Sequence, residues 1–298
     1  MASQKFREHI MFVVMGGTGH IGSRLAENLL CAGKDVTVLT RKAKRAEKLA
    51  KLGARIAEIN VLDHDALHNL LKRANGIYIL NPPANPALNC DSEERQTIAA
   101  IALALQQTKL EKVIVQSTYG AQKGDSIGDL GSLYELEEAV TKIYSQAIIV
   151  RAAFYMSNWQ LAVKEAVTRG TLTTVYPRDC SIPMVAPSDI ADYISILIEH
   201  GHAGITYIEG PKRYNMNDVA HAFTKALGHS VRLNVIPDDR IENYYSTLGF
   251  STQSACSFAH MAQKTIEGNW PLISKTLNSK TTLENYIDKL CKTEKITK

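Results

Sequence analysis

The sequence is poor in the residues that build covalent or metal-based scaffolds. It has only five cysteines in 298 residues, and they form no CxxC pair and no other metal-ligand spacing. This excludes a zinc-ribbon or disulfide framework as the basis of the fold, and we expect no metal site. An odd number of irregularly spaced cysteines is typical of reduced thiols, so we expect a cytoplasmic protein.

Long apolar runs and a strong excess of one charge are missing as well. The opening residues, MASQKFREH, contain no apolar signal region, and no stretch reaches the roughly 20 apolar residues that span a membrane. The net charge is only +4, with lysine and arginine scattered except at residues 41–45. A nucleic-acid-binding surface needs a more concentrated positive field. We therefore expect neither a membrane nor a nucleic acid as partner.

The first half of the chain alternates between strand-like and helix-like segments. Apolar and β-branched runs predict strands at residues 10–15, 35–40, 54–60, 76–80, 112–116 and 147–151. Helices are predicted between them, after the glycine-rich segment 16–22 and at residues 42–52, 63–72, 93–107 and 133–144. This alternation predicts an α/β fold with a doubly wound parallel sheet that helices cover on both faces.

In the second half, after Arg151, the alternation becomes irregular. Helices are predicted at residues 158–168, 188–199, 217–227 and 239–247, with short strands at 206–209 and 231–235. We interpret residues 1–151 as a domain built on the parallel sheet and residues 152–298 as a smaller, mostly helical substrate-binding lobe. Segments of the two are expected to interleave and to enclose a cleft above the sheet.

A glycine-rich turn, GGTGHIG at residues 16–22, joins the first predicted strand to the first predicted helix. In the GxxGxxG spacing, the first glycine makes a tight turn, the second lets the backbone approach a pyrophosphate and the third lets the helix pack on the strand. The helix N-terminus adds unpaired N–H groups. This context favours a Rossmann-type dinucleotide site over a glycine turn in an unrelated α/β fold. The predicted cofactor-binding residues of the turn are Gly16, Thr18, Gly19, His20, Ile21 and Gly22.

The end of the second predicted strand indicates which dinucleotide is bound. An acidic residue there would accept from a free ribose 2′-hydroxyl, but this chain has Arg41, whose guanidinium can grip a 2′-phosphate. We therefore expect NADP(H) to be preferred over NAD(H). Asp63 either accepts from the adenine amino group or caps the helix that follows it. Asn81 and Pro82 either wall the ribose–nicotinamide side or form an ordinary rigid turn.

With these residues in hand, the chain resembles the NmrA-like members of the atypical short-chain dehydrogenase/reductase superfamily. The segments that carry the resemblance are GGTGHIG (16–22), Thr40-Arg41, Asp63, STYGA (117–121), RAAFYMSN (151–158) and VAPSDIA (185–191). The resemblance implies a bilobed protein with NADP(H) in its cleft. The family contains quinone, azo-type and isoflavone-like reductases and also NADP-binding regulators, so membership leaves the activity open.

The catalytic pair typical of short-chain dehydrogenases is absent. In those enzymes, a tyrosine is followed four residues later by a lysine that lowers the pKa of the phenol. Here Tyr134 is followed by Glu138, and a carboxylate would shift that pKa in the wrong direction. Lys142 lies two helical turns beyond the tyrosine. Ordinary alcohol dehydrogenation is therefore not expected, and Glu137 and Glu138 either contact a ligand or lie on the helix surface.

Other side chains at the carboxyl ends of the fifth and sixth predicted strands are candidates for the site. Such strand ends carry the ligands of doubly wound sheets. We predict that Ser117 contacts the cofactor and that Tyr119 donates a proton. The predicted substrate-contacting residues, for which the alternative is ordinary packing, are Tyr119, Phe154, Tyr155, Asn158 and Trp159.

Two functional hypotheses follow. The first is an NAD(P)H-dependent reductase of a small, electron-poor acceptor such as a quinone, an azo compound or an enone, which needs little more than positioning of the hydride donor. The second is a non-catalytic NADP(H)-sensing regulator that acts through a protein partner. The aromatic segment 154–159 favours the first, and the missing tyrosine–lysine pair favours the second.

Overall fold

The computed structural model describes residues 11–268 and 276–296. Its strands within those ranges are β1 (Met11–Val14), β2 (Asp35–Thr40), β3 (Arg55–Glu58), β4 (Gly76–Ile79), β5 (Lys112–Thr118), β6 (Ile148–Ala152), β7 (Phe154–Tyr155), β8 (Thr171–Thr174), β9 (Ile182–Val185), β10 (Gly204–Glu209), β11 (Arg213–Tyr214), β12 (Arg232–Val235) and β13 (Thr276–Asn278).

The α-helices are α1 (His20–Cys31), α2 (Glu47–Lys51), α3 (His64–Leu71), α4 (Cys90–Leu105), α5 (Asp129–Ile143), α6 (Val163–Arg169), α7 (Pro187–His200), α8 (Met216–Leu227), α9 (Ile241–Thr247), α10 (Thr252–Glu267) and α11 (Leu283–Ile296). Three of the predicted helices begin as 3-10 turns, Ala43–Ala46 before α2, Met156–Ala162 before α6 and Asp238–Arg240 before α9.

A central parallel sheet of eight strands dominates the fold, in the order β13-β10-β6-β5-β4-β1-β2-β3. Every pairing in it is parallel. The prediction of a doubly wound parallel sheet is confirmed. The chain leaves β1 outward through β2 and β3 and then returns to β4 on the other side of β1. The carboxyl ends of β1 and β4 therefore flank the point where open α/β sheets bind ligands.

Helices cover both faces of this sheet, because its strands are apolar on both sides. On one face α1 packs against α7, and the shared core includes Leu25, Leu29, Ile190 and Ile194. On the other face α4 packs between α3 and α5, and that core includes Leu67, Leu71, Ile101 and Val140. These two layers hold the ends of β1, β4 and β5 rigidly in place.

The second half of the chain contributes to both parts of the fold. Two of its strands join the central sheet, since β10 pairs with β6 and β13 pairs with β10. Its helix α7 covers one face of that sheet. Much of the remainder forms a smaller lobe with a separate core around Met156, Tyr214 and Phe223, in which α8 packs against α11. That lobe also contains two small sheets, β11-β9-β7 and β12-β8, of which the sequence pattern predicted only β12. The domain boundary at Arg151 stays a prediction.

Candidate functional site

The glycine turn after β1 has a geometry that depends on its glycines. Gly16 has a φ of +60°, in the left-handed region, and its carbonyl accepts a hydrogen bond from the Gly19 N–H at 2.9 Å. A Cβ atom on Gly22 would lie 2.4 Å from the same carbonyl oxygen. Because that distance is far too short for a real contact, only glycine lets α1 approach the turn this closely.

The turn delivers the chain into the N-terminus of α1. Gly19 is the N-cap residue, and no side chain caps the helix. The N–H groups of the first helical turn therefore keep their hydrogen-bonding capacity, and the positive end of the helix dipole lies beside them. This end of α1 is suited to an anionic group.

A cavity of about 360 Å³ opens beside the turn. It lies at the carboxyl ends of β1 and β4, and segments that follow β7, together with the starts of α5 and α7, complete its walls. Its lining residues include Gly16, Gly19, His20, Ile21 and Gly22 from the turn, Tyr78, Leu80, Asn81 and Pro83 from β4 and its loop, Glu94, Gln116, Asp129 and Leu133, and Tyr155, Ser157, Asn158 and Pro187.

The amide of Asn81 has no protein partner in this cavity. Both its Oδ1 and its Nδ2 are shielded from solvent, and neither finds a hydrogen-bond partner among the described residues. Buried amides in native proteins are nearly always hydrogen-bonded. An amide in this position can form hydrogen bonds with a polar group that enters the cavity.

Tyr78 and Gln116 form a neutral polar wall of the cavity. The Tyr78 hydroxyl donates to Gln116 Oε1 at 3.1 Å, and Gln116 Nε2 donates to the carbonyl of Ser117 at 2.9 Å. Tyr78 is fully buried, and this burial raises the pKa of its phenol well above the ordinary value. The phenol therefore stays protonated and serves as a fixed donor to the glutamine.

Two carboxyl groups, Glu94 of α4 and Asp129 of α5, also line the cavity. Glu94 is only 5% exposed, and its Oε2 accepts from Ser132 Oγ at 2.6 Å. Burial, with the negative charge of Asp129 as the second cause, raises the pKa of Glu94 to about 7. Asp129 is exposed as a whole residue, but burial of its carboxyl, with the negative charge of Asp91 as the second cause, raises the pKa of this group as well.

Most of the predicted residues of the turn and of the sixth-strand segment meet at this cavity. Gly16, Gly19, His20, Ile21, Gly22, Asn81, Tyr155 and Asn158 line it. Thr18 and Pro82 are adjacent in sequence to lining residues and are not themselves part of the described lining. Their cofactor contacts stay predictions.

Arg41 lies outside the cavity, on the surface that follows β2. It is exposed and has no ion pair or hydrogen bond with any residue that the structure describes. The segment around it is fixed, because the Lys42 N–H donates to Thr40 Oγ1 at 3.3 Å and the Ala43 N–H donates to Glu58 Oε2 at 2.8 Å. The backbone next to Arg41 is thus held in place, and the guanidinium has no partner among the described residues.

Of its two alternative roles, Asp63 performs the helix cap, which needs no ligand. It is the N-cap residue of α3, and its side chain accepts from the Ala66 N–H at 3.0 Å. Such a cap satisfies one of the N–H groups that a helix start leaves unpaired. Contact with an adenine amino group stays a prediction.

Ser117 and Tyr119 are engaged elsewhere and do not belong to the described lining. Ser117 is fully buried and its Oγ donates to the carboxylate of Glu137. The Tyr119 hydroxyl donates to Glu209 Oε1 at 2.6 Å. Burial and this hydrogen bond raise the pKa of Tyr119 well above its ordinary value. Glu137 does not lie on the helix surface, since it is a buried partner of Arg151. Its contact with a ligand stays a prediction.

The remaining aromatic candidates pack in the core of the smaller lobe. Phe154 lies against Trp159 and Tyr176, with ring centroids 5.8 Å apart in both pairs. Trp159 is 6% exposed, and its Nε1 has no partner among the described residues. Tyr134 lines a separate surface depression together with Glu138 and Lys142. Substrate contacts by Phe154 and Trp159 stay predictions.

Glu94, Asp129, Tyr78 and Gln116 were not among the predicted site residues. A signal for Glu94 was present in the sequence, since Glu94, Ile98 and Ile101 share the i, i+4, i+7 spacing of one helical face. A carboxylate on an otherwise apolar stripe is a recognisable anomaly. Gln116 similarly interrupts an apolar strand. For Asp129, which begins its helix, the sequence offers only an ordinary helix start.

Comparison with known proteins assigns the family. Residues 9–290 match the model of the NmrA-like family. The chain belongs to this family. This NmrA-like protein is 23% identical over 242 residues to an NAD(P)H azoreductase from Xenophilus azovorans, which covers 80% of this chain and 82% of the relative.

Solved structures show the same fold at low sequence identity. An NADPH-dependent quinone oxidoreductase from Escherichia coli, crystallised with NADPH, matches with a TM-score of 0.77 and 20% identity over 94% of this chain and 99% of its own. A triphenylmethane reductase from Citrobacter sp., crystallised with NADP(H), matches with a TM-score of 0.77 and 17% identity over 95% and 100% of the two chains.

Two further findings concern the described part of the NmrA-like chain. None of its helices there has the length and apolar character needed to cross a membrane. Within the same residues, no three or more histidine, cysteine, aspartate or glutamate side chains gather as a metal ion would require.

Proposed function

We propose that this NmrA-like protein is an NADP(H)-dependent reductase that acts on a small, flat, electron-poor acceptor of the quinone, azo or enone type. The observation that carries the proposal is the cavity at the switch point of the sheet. The glycine turn at the start of α1 lines it, together with Asn81, Tyr155 and Asn158. A dinucleotide and its acceptor need a phosphate-binding turn and polar or aromatic side chains around one cavity.

The residues present fit a dinucleotide phosphate. The uncapped first turn of α1 suits the pyrophosphate, and the close approach at Gly22 leaves no side chain in its way. The exposed guanidinium of Arg41, which has no partner among the described residues, suits the 2′-phosphate. The unpartnered amide of Asn81 suits a polar group on the ribose–nicotinamide half.

When bound, the reduced nicotinamide supplies the hydride. The chain itself contributes orientation and exclusion of water. Leu80 and Leu133 give the cavity apolar walls, and Tyr155 offers an aromatic surface on which a flat acceptor can lie. Similarity to proteins named as quinone, azo and triphenylmethane reductases supports this acceptor class.

The test is steady-state oxidation of NADPH, and of NADH in parallel, with a panel of quinones, azo dyes and enones. We expect turnover with at least one acceptor class and a higher kcat/KM with NADPH. Tight binding that distinguishes NADP⁺ from NADPH, without turnover of any acceptor, would instead support the regulator. Failure to bind either nucleotide would remove both functions. Cytoplasmic location and the lack of a nucleic-acid partner stay predictions.

A further inference from the structure

We propose that Glu94 is the catalytic acid of the reduction and delivers the proton that accompanies the hydride. This inference rests on the proposed reductase function and assigns a role within the same cavity. It gives the proton-transfer step to a carboxyl group rather than to a tyrosine.

The position of Glu94 is fixed from two sides. It lies on the inward face of α4, which also carries the core residues Ile98 and Ile101, and is 5% exposed. Ser132 on α5 donates to its Oε2 at 2.6 Å. Glu94 is one of the residues that line the cavity. A bound acceptor can therefore reach a group whose rotamer is already set, which is the condition for efficient proton transfer.

The charges around Glu94 favour a bound proton. The titratable groups that face it are Asp129 on α5 and Asp91 and Cys90 on α4, with Ser257 of α10 hydrogen-bonded to Asp91 at 2.8 Å. Tyr78, Tyr155 and His20 line the same cavity. No lysine or arginine is part of the described lining. Two ionised carboxylates in such a space repel each other, so one proton is retained.

Glu94 rather than Asp129 holds this proton. As a whole residue Glu94 is buried, whereas Asp129 is exposed, and burial disfavours the charged form. The pKa of Glu94, about 7, also lies close to a neutral operating pH. The phenols of Tyr78 and Tyr155 are poorer acids, because burial raises the pKa of both.

Asn81 gives independent evidence that a polar ligand enters this cavity. Its two amide atoms are buried and without partners among the described residues, and they line the same space as Glu94. A ligand that satisfies Asn81 lies within the compartment into which the Glu94 carboxyl opens. The acid and the polar anchor therefore serve one occupant.

Reduction of a quinone acceptor takes up one hydride and one proton. The quinone gains two electrons and one hydrogen as hydride from the bound reduced nicotinamide, and it gains a proton from Glu94. The carboxyl O–H bond breaks, and a new O–H bond forms on the acceptor oxygen. Glu94 is left as a carboxylate beside Asp129, and repulsion between the two charges favours uptake of the next proton from water.

The first experiment compares the pH dependence of kcat/KM for NADPH and a simple benzoquinone. We expect the wild-type value to fall as pH rises above about 7. Glu94→Gln should lose at least about a hundredfold in kcat/KM near pH 6, the low side of typical acid catalysis, and should lose the pH-dependent fall. Glu93→Gln, one residue away and exposed, is the matched control and should behave as wild type.

Two neighbouring variants should move the fall in opposite directions. Asp129→Asn removes the adjacent charge, which lowers the pKa of Glu94 and moves the fall to lower pH. Ser132→Ala removes a hydrogen bond that favours the carboxylate, which moves the fall to higher pH. Carbon-13 NMR titration of the glutamate carboxyls, without an acceptor, should show one signal with the same midpoint, absent in Glu94→Gln.

The outcomes separate the two proposals. Unchanged kcat/KM and an unchanged pH profile in a folded Glu94→Gln variant would overturn the role of Glu94 while the reductase function stands. A folded Tyr119→Phe variant that loses kcat/KM across the whole pH range, with wild-type kcat/KM retained in Glu94→Gln, would assign the proton to Tyr119 instead. A wild-type protein without turnover of any acceptor would overturn the reductase function and, with it, the acid.

Discussion

Arg151, at the end of β6, is held by Glu137 of α5 through two hydrogen bonds, 2.9 Å from Nε to Oε1 and 2.6 Å from Nη2 to Oε2. Both side chains are largely buried, with 12% and 6% of their surface exposed. Ser117 donates to the same carboxylate, and the Tyr207 hydroxyl lies 3.3 Å from the guanidinium. This network joins the carboxyl ends of β5, β6 and β10 to α5, beside the cavity.

Replacement of Glu137 by alanine should destabilise the protein strongly. It leaves the Arg151 charge buried without a partner, and breaking a buried ion pair typically costs about 3–5 kcal/mol. The free energy of unfolding in urea measures this loss. Asp192→Ala is the control, because its ion pair with Arg24 has 47% and 48% of the two side chains exposed and should be worth at most about 1 kcal/mol. Similar losses in both variants would contradict the structural role of the network.

Two alanine substitutions in the glycine turn should have different consequences. At Gly22 a Cβ would lie 2.4 Å from the Gly16 carbonyl oxygen, whereas at Gly19 the distance is 3.3 Å. We expect Gly22→Ala to lose about 1–3 kcal/mol of stability through overpacking and to weaken NADPH binding. Gly19→Ala should keep most of the stability and still weaken binding. Thermal unfolding and NADPH titration measure both effects, and equal destabilisation by the two variants would be inconsistent with this geometry.

The parallel sheet and the glycine turn are predictable because their signals are local. A buried parallel strand needs a continuous apolar run, as in β1 and β5, and a tight turn needs glycine at the position where φ is positive, as at Gly16. The pairing of β10 with β6 has no such local signal. Residues 206–209 were predicted as a strand, but only tertiary packing decides that they join the central sheet.

Sequence spacing does not show which hydrogen-bond partner each polar side chain takes. Ser117 and Tyr119 stand where such sheets carry functional groups, yet Glu137 and Glu209 occupy their hydroxyls. Those partners are 20 and 90 residues away in the chain. Likewise, Glu94 and Asp129 meet at one cavity only because α4 packs against α5. Contacts between distant segments decided which candidates reached the cavity.

Arg41→Ala should discriminate between the two nicotinamide dinucleotides. The guanidinium is exposed and without a partner among the described residues, so its removal should cost little stability. Loss of a charge-assisted contact with the 2′-phosphate should weaken NADPH binding by about 1.5–3 kcal/mol, while NADH binding should barely change. Calorimetric titration of both nucleotides provides the measurement, with Lys44→Ala as an exposed cationic control. Equal weakening for NADPH and NADH would contradict the assignment of Arg41.

The stability difference between wild type and Glu94→Gln should depend on pH. The carboxyl has an ordinary pKa of 4.5 and a native pKa of about 7, so folding favours its protonated form. Below about pH 4.5 the proton is bound in both states, and its contribution to stability is complete; between about 4.5 and 7 this contribution is lost as pH rises. Glutamine stays neutral, so the variant should gain on wild type across that window, by up to about 3 kcal/mol, and hold the gain at higher pH.

This difference is measured by urea unfolding between about pH 4.5 and about pH 8.5, at intervals of about one pH unit. Glu93→Gln serves as the control, since that side chain is exposed and has no comparable burial to relieve. A Glu94→Gln difference that stays constant with pH, or that grows toward acid, would show that the native state does not hold the proton at Glu94. The carboxyl would then be ionised in the cavity at neutral pH and could not serve as the acid of the reduction.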